Sequence, residues 1–172
     1  PFTFNTDCTG PLAAGTYSVG ATGDFATLDS VMTTLNVCGI SGAVTFEFQS
    51  GSFSTSSYLS EINGSSATNT ITFKGSATAN DTIVAGSDAA FVLEGAKFMS
   101  FEDLFISTTS SNAFRLNGSS DINISGNTIA CGVGTSSLVN AVVASASATS
   151  IYSSTVGEKN LTISNNIISG GY

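Results

Sequence analysis

The side chains able to do chemistry in this 172-residue chain are almost all carboxylates: 12 Asp and Glu against 4 Lys and Arg, no histidine, and a formal net charge of −8. Without an imidazole the chain lacks the commonest general base, the commonest neutral metal ligand and every His-dependent nucleophile arrangement. What remains is carboxylate chemistry, and two acids about 5 to 10 Å apart suffice to hydrolyse a glycosidic bond. Glu102 and Asp103 are the obvious pair to consider. Adjacent residues of a strand point to opposite faces, however, so these two should diverge and read better as a solvated turn. Asp81, Asp88, Glu94 and Asp103 carry hard oxygen ligands of the kind Ca²⁺ takes, but no EF-hand loop and no Gly-Gly-x-Gly-x-Asp nonapeptide holds them. We therefore assign no catalytic residue, no metal and no cofactor from the sequence.

The four cations, Lys74, Lys97, Arg115 and Lys159, are scattered and form no basic stripe, so nucleic acid is not an expected partner. Lys97 alone falls near an acidic group, Glu94, Glu102 and Asp103. Three cysteines cannot all pair within one chain. Cys8 and Cys38 could close a loop of about 30 residues, worth roughly 3 to 4 kcal/mol by loop entropy, or all three could be small buried side chains. Cys131, which follows an apolar strand, fits the second reading better. Asn127 and Asn166 each follow an inward-facing isoleucine, Ile124 and Ile163, by three residues; they form either a stacked asparagine ladder or two ordinary turns.

These residues need a scaffold, and the sequence supplies it by repetition. Phe91 to Gly95 (FVLEG) recurs as Phe114 to Gly118 (FRLNG), an offset of 118 − 95 = 23 residues. In the same register Met99 falls on Ile122, Phe101 on Ile124 and Ile106 on Ile129. Gly157 is followed at the same offsets by Leu161, Ile163 and Ile168, with Asn166 where Asn127 sits. Ile71 to Gly75 (ITFKG) reads as a weaker upstream copy. Periods in the twenties signal a solenoid, here parallel coils of two or three short strands stacked at roughly 4.8 Å, with room for about five or six turns after Val44. Serine and threonine make up about 30% of the chain, a composition suited to polar sheet exteriors and turns.

One segment breaks the pattern. Phe25, Leu28, Met32 and Leu35 share one helical face, so the spacing predicts an amphipathic helix near residues 25–37, with Asp24 as N-cap and Gly39 as stop. Such a helix can hide the terminal apolar layer of a solenoid. We accordingly expect one all-β domain over 1–172: lead-in strands and a capping helix in 1–43, coils in 44–172. No stretch approaches the roughly 20 apolar residues of a membrane span, so membrane insertion is not expected. The start at Pro1, without an initiator methionine, is expected of a processed or excised chain.

The run Gly20 to Leu28 (GATGDFATL), the helix, then Val44 to Phe48 (VTFEF), Gly51 to Phe53 and Ile71 to Gly75 resemble the opening of pectin-lyase-like right-handed parallel β-helix proteins, pectinesterases among them. The likeness is closest to β-helix modules of secreted and surface proteins of Bacteroidota-type bacteria. It implies a right-handed parallel β-helix and an extracellular or cell-surface location. Lyases of that family use a Lys or Arg base beside Ca²⁺, and its pectinesterases use paired aspartates with Gln and Arg on later coils; the corresponding motifs are missing here, so the likeness carries no activity over.

The function expected is a non-catalytic structural or adhesive module whose partners are further coils of a longer parent chain or other copies of itself, stacked end to end, with surface glycans as a further candidate. The alternative is the N-terminal part of a carbohydrate-active enzyme whose catalytic coils lie elsewhere. Ice binding, suggested by Thr68, Thr70 and Thr72, ranks lower because Arg115 is read at the position matching Thr72. An immunoglobulin-type sandwich is the structural rival, and the 23-residue register speaks against it.

Overall fold

A computed structural model describes residues 8–55, 57–76, 81–85, 89–132, 140–144 and 157–170. The described residues are mostly β with one helix, and every strand pairing among them is parallel. The first sheet contains β1 (Gly15–Val19), β2 (Val44–Phe48), β4 (Ile71–Lys74), β7 (Lys97–Glu102), β10 (Ser120–Ser125) and β13 (Lys159–Ser164), in that order. The second runs β3 (Gly51–Phe53), β5 (Asp81–Val84), β8 (Phe105–Thr108), β11 (Thr128–Cys131) and β14 (Ile167–Ser169). The third runs β6 (Ala89–Glu94), β9 (Asn112–Asn117) and β12 (Val142–Ala144), with Leu59 bridged to Leu93 at its near edge. The chain thus visits sheets one, two and three in turn and begins again. None of the three sheets closes on itself.

Register follows the apolar spacing. Met99 pairs with Ile122, Phe101 with Ile124, Ile106 with Ile129 and Phe91 with Phe114. Leu161, Ile163 and Ile168 fall on Ile122, Ile124 and Ile129. Gly95 and Gly118 both take left-handed backbone at φ 70° and 63°, where a side chain would be strained, and so turn the chain from sheet three to sheet one at the same place in successive layers. The 23-residue period is local, however: along sheet one the paired residues Val44, Ile71, Met99, Ile122 and Leu161 are separated by 27, 28, 23 and 39 residues.

Two expectations need correction. Ile71–Lys74 is not a copy of Phe91–Glu94; Ile71 pairs with Met99 and Phe73 with Phe101, which places it in sheet one. Alternating apolar residues before a turn glycine describe strands of either sheet, so the motif could not tell them apart. Gly75 instead packs against the turn after β7, where a Cβ would lie 2.0 Å from the Asp103 carbonyl oxygen. As a result Thr72 is matched by Thr16, Thr45, Ser100, Asn123 and Thr162 along the outer face of sheet one, and not by Arg115, which sits in sheet three.

Helix α1 spans Leu28–Cys38 and starts later than its periodicity suggested. Thr27 is the N-cap, its hydroxyl accepting from Ser30 N–H while the Ser30 hydroxyl faces back in a capping box. Asp24 instead accepts from the backbone N–H and hydroxyl of Ser18, and Phe25 lies outside the helix, edge-on to Tyr17 and Phe46. Gly39 ends the helix at φ 69°, donating its N–H to the Leu35 carbonyl. The inner face, Leu28, Val31, Met32 and Leu35, joins the same buried cluster as the strands.

Inside sheet one Tyr17, Phe46, Phe73 and Phe101 lie in successive paired positions, their ring centroids 5.9, 5.5 and 5.2 Å apart along the row. Phe91 and Phe114 of sheet three pack 4.8 and 5.1 Å from Phe101. Phe101 is fully buried where the two rows meet. We predict that Phe101→Ala lowers unfolding free energy by about 3 to 5 kcal/mol in urea denaturation, as emptied aromatic sites do; a loss under about 1 kcal/mol would show that the rows do not meet there.

Candidate functional site

Three places bring polar or reactive groups together. The first is the turn from sheet one to sheet two, which is built on asparagine. Asn127, fully buried, donates Nδ2–H to the Phe101 carbonyl of the layer before at 2.9 Å and accepts Leu104 N–H on Oδ1 at 3.0 Å. Asn166 repeats this one layer on: Nδ2–H donates to the Ile124 carbonyl at 2.9 Å, and Oδ1 accepts both Asn127 N–H and Asn127 Nδ2–H at 2.9 Å. The two side chains therefore join three layers, and each leaves its carbonyl and amide paired. Since Ile83, Ile106, Ile129 and Ile168 are in register, the residue two places before each forms the same column: Asp81, Leu104, Asn127 and Asn166.

Asp81 is the second place, and sequence reasoning did not see it as part of this column. Its residue is only 6% exposed, the one buried carboxylate among the described residues. One of its oxygens, itself buried, has no hydrogen-bond partner among the described residues, and the neighbour along the column, Leu104, offers no side-chain donor. The residue borders a groove of about 370 Å³ lined by Ser76, Asp81, Thr82, Asp103, Leu104, Phe105 and Thr128. Asp103 leaves β7 in left-handed backbone at φ 54° and joins this lining, whereas Glu102, the last residue of β7, does not. The Glu102-Asp103 pair thus forms no common site; Asp103 borders the groove that Asp81 also lines. Asp88 lies outside the described residues. Among the described residues no group of three or more His, Cys, Asp and Glu gathers as a metal site.

Lys97 does not serve the acidic cluster assigned to it. It pairs with Glu61 at 2.9 Å, while Glu94 binds the buried Arg115 at 3.2 Å. Cys8 and Cys38 are joined as a disulfide, Cα atoms 5.5 Å apart, which ties the lead-in to the end of α1; Cys131 is free and buried. A further carboxylate, Glu158, accepts the backbone N–H groups of Gly118 and Ser119 at 3.0 and 2.5 Å and so holds the start of β13 against the preceding turn.

The third place is the far end. Among the described residues β13 and β14 are edge strands, each paired on one side only. Their residues continue the core rows but are uncovered: Ile163 is 47% exposed and Ile168 50%, although Ile124 and Ile129 directly beneath are fully buried. Ile167, on the outer face, is 69% exposed.

No family model, no curated protein and no solved structure matches this chain.

Two predictions follow from the turn column. Asn127→Ala removes one donor and one acceptor that hold buried backbone groups of Phe101 and Leu104, so it should cost about 3 kcal/mol in chemical denaturation; a change under about 1 kcal/mol would mean that the ladder is ornamental. Burial holds the Asp81 carboxyl above the usual range, opposed by the N–H groups of Asp81 and Ser76. The folded chain then keeps this proton more tightly than the unfolded chain, so stability falls as pH rises through the folded value, and the ionised group subtracts from stability at neutral pH. Asp81→Asn should melt above the parent at pH ~7, with the advantage shrinking toward pH ~4. An equal or lower melting temperature at neutral pH would contradict this.

Proposed function

We propose that the three parallel sheets are the faces of one right-handed parallel β-helix, and that the protein is a structural and adhesive module of the kind found in secreted or surface proteins of the pectin-lyase-like group. The handedness follows from the rule that crossovers between parallel strands are right-handed in nearly all cases. Under this reading α1 caps the near end, where its apolar face covers the first layers. Among the described residues nothing covers the far end in the same way. Ile163 and Ile168, whose partners Ile124 and Ile129 in the layer beneath are fully buried, stand open on β13 and β14, beside strand edges unpaired among the described residues.

That open layer is the observation that carries the reading. An apolar sheet end with free N–H and C=O groups is a template for another parallel strand of the same register. The partner is the next coil, supplied by a longer parent chain or by another copy of this one. The Cys8–Cys38 disulfide supports an oxidising, extracellular setting. Among the described residues no carboxylate pair is arranged as a recognisable acid and base, so the carbohydrate-active alternative gains no observation in its favour there. The outer row Thr16, Thr45, Thr72, Ser100, Asn123 and Thr162 is more regular than ice binding was credited with in the sequence. The next outer row, though, carries Glu47, Lys74 and Glu102, a charged strip unsuited to a flat ice-like face. Thermal hysteresis is accordingly not expected.

The test is association at the open layer. Sedimentation equilibrium of the chain should show concentration-dependent self-association at tens of micromolar, roughly, and the double variant Ile163→Asp/Ile168→Asp should be monomeric at the same concentrations with an unchanged far-ultraviolet spectrum. If the unsubstituted 172-residue chain stays monomeric up to about 100 µM, that counts against the proposal, because either occupant requires a face that binds strands.

A further inference from the structure

We propose that two copies of this chain join far end to far end, the edge strand β13 of one pairing antiparallel with β13 of the other, so that self-association closes at a dimer and builds no filament. The inference rests on the reading of the far end given above, and it fixes the orientation of the partner when that partner is a second copy.

The near end cannot receive a far end, because the strand edges of sheets one and three are already occupied there. On β1, the first strand of sheet one, Gly15 and Val19 bond toward β2, to Ala43 and Gln49, so Ser18 and Gly20 point to the open side. Ser18 N–H donates to the Asp24 carboxylate at 2.8 Å, the Ser18 carbonyl accepts Phe25 N–H at 3.0 Å, and Gly20 N–H donates to the Phe25 carbonyl at 2.8 Å. Sheet three begins at Leu59, which bonds to Val92 and Glu94 through its own N–H and carbonyl. The groups on either side of Leu59 are taken by Asn36 of α1. Its Nδ2–H donates to the Tyr58 carbonyl at 2.8 Å, and its Oδ1 accepts Ser60 N–H at 3.3 Å. Between these edges the inner face of α1 is buried in the core. Edges completed in this way offer no template to another strand.

The far end, in contrast, is complementary to itself. A two-fold axis that joins two far ends and keeps the inner face of sheet one inside must lie along the sheet normal. That axis reverses the strand direction and makes the β13 pair antiparallel. Opposed residues of such a pair share a face. Leu161 and Ile163 are the inward residues, stacked on the buried Ile122 and Ile124. A pair centred on Thr162 sets Leu161 of each copy against Ile163 of the other. Centred on Leu161 it would set Ile163 against Lys159, and centred on Ile163 it would set Leu161 against Asn165. Only the first joins apolar to apolar at both places.

Charge permits the joint. The chain carries a net charge of −8, yet Lys159 is the one charged residue of β13 and β14, and antiparallel pairing puts its two copies at opposite ends. Glu158 is turned back to the layer beneath, where it accepts Gly118 and Ser119 N–H. A contact that uses the same patch on both partners is satisfied by two copies, whereas an open head-to-tail contact runs on into a fibre.

The test is the mass distribution of the unsubstituted 172-residue chain by sedimentation velocity, with a cysteine cross-link to fix orientation. The mass should rise with concentration and level off at two chains up to about 100 µM. Thr162 is exposed on the outer face at the centre of the joint, and directly opposed residues of antiparallel strands lie within disulfide reach. Mild oxidation of Thr162→Cys should therefore give a covalent dimer by intact mass. Mixed with Thr16→Cys, which alters the matching outer position of β1, it should give no disulfide between the two variants. Growth past the dimer, or a disulfide between those variants, would overturn this inference and leave end-to-end stacking standing. A folded, associating chain in which Thr162→Cys fails to cross-link would overturn it as well. A chain that is monomeric throughout would reject this inference and the stacking reading together.

Discussion

The fold depends on one constraint: inward-facing residues of successive layers must lie directly over one another. Parallel pairing makes this strict, because a slip of one residue turns every side chain of the strand to the opposite face. The row Tyr17, Phe46, Phe73 and Phe101 shows what the constraint selects, flat rings repeated at a spacing close to that of the strands. The rows Ile71–Met99–Ile122–Leu161 and Ile83–Ile106–Ile129–Ile168 do the same with aliphatic side chains. Loops of different length between layers are tolerated because they leave the rows and rejoin them in phase. Layers separated by 23 and by 39 residues therefore stack equally well.

Polar groups inside such a structure must obey the same rule. Asn127 and Asn166 obey it, since each reaches back to the carbonyl three residues before the equivalent turn position in the layer above. Asp81 occupies the same column and does not, because Leu104 interrupts the ladder. The interruption leaves a buried carboxylate beside a groove, with its proton affinity raised by burial. A local breach of the stacking rule costs stability and is thus the natural place to look for recognition. The open isoleucine rows on β13 and β14 are a second breach, of coverage rather than of pairing.

The sequence revealed most where composition and phase agreed. Phe91 to Ile129 could be registered without coordinates because glycine turns and apolar spacing repeat together there, and the pairings of Met99, Phe101 and Ile106 are those the spacing gives. Asn127 and Asn166 stood out for the same reason, as one residue type at one phase. Ile71–Gly75 was assigned to the wrong sheet since an alternating strand before a glycine carries no label for its face. Helix α1 was begun too early because Phe25 matches the helical phase by accident while the capping box at Thr27 and Ser30 fixes the start. The Asp81 groove was missed for another reason: Thr82, Phe105 and Thr128 do follow the 23-residue period, but the upstream copy was placed at Ile71–Gly75, so β5 was left out of the register.

The outer surface follows from the inner one. Once the inward residues are fixed, the alternate positions form straight polar rows, including one where Lys74 stands between Glu47 and Glu102. The most direct test of in-register stacking uses this outer face, where cysteines can be introduced without disturbing the core. Ser100→Cys with Asn123→Cys, directly paired in adjacent strands, should cross-link within the chain under mild oxidation, as read by intact mass after alkylation. Thr72→Cys with Arg115→Cys, placed in different sheets, should not. Cross-linking of the second pair, or failure of the first in a folded chain, would contradict the account.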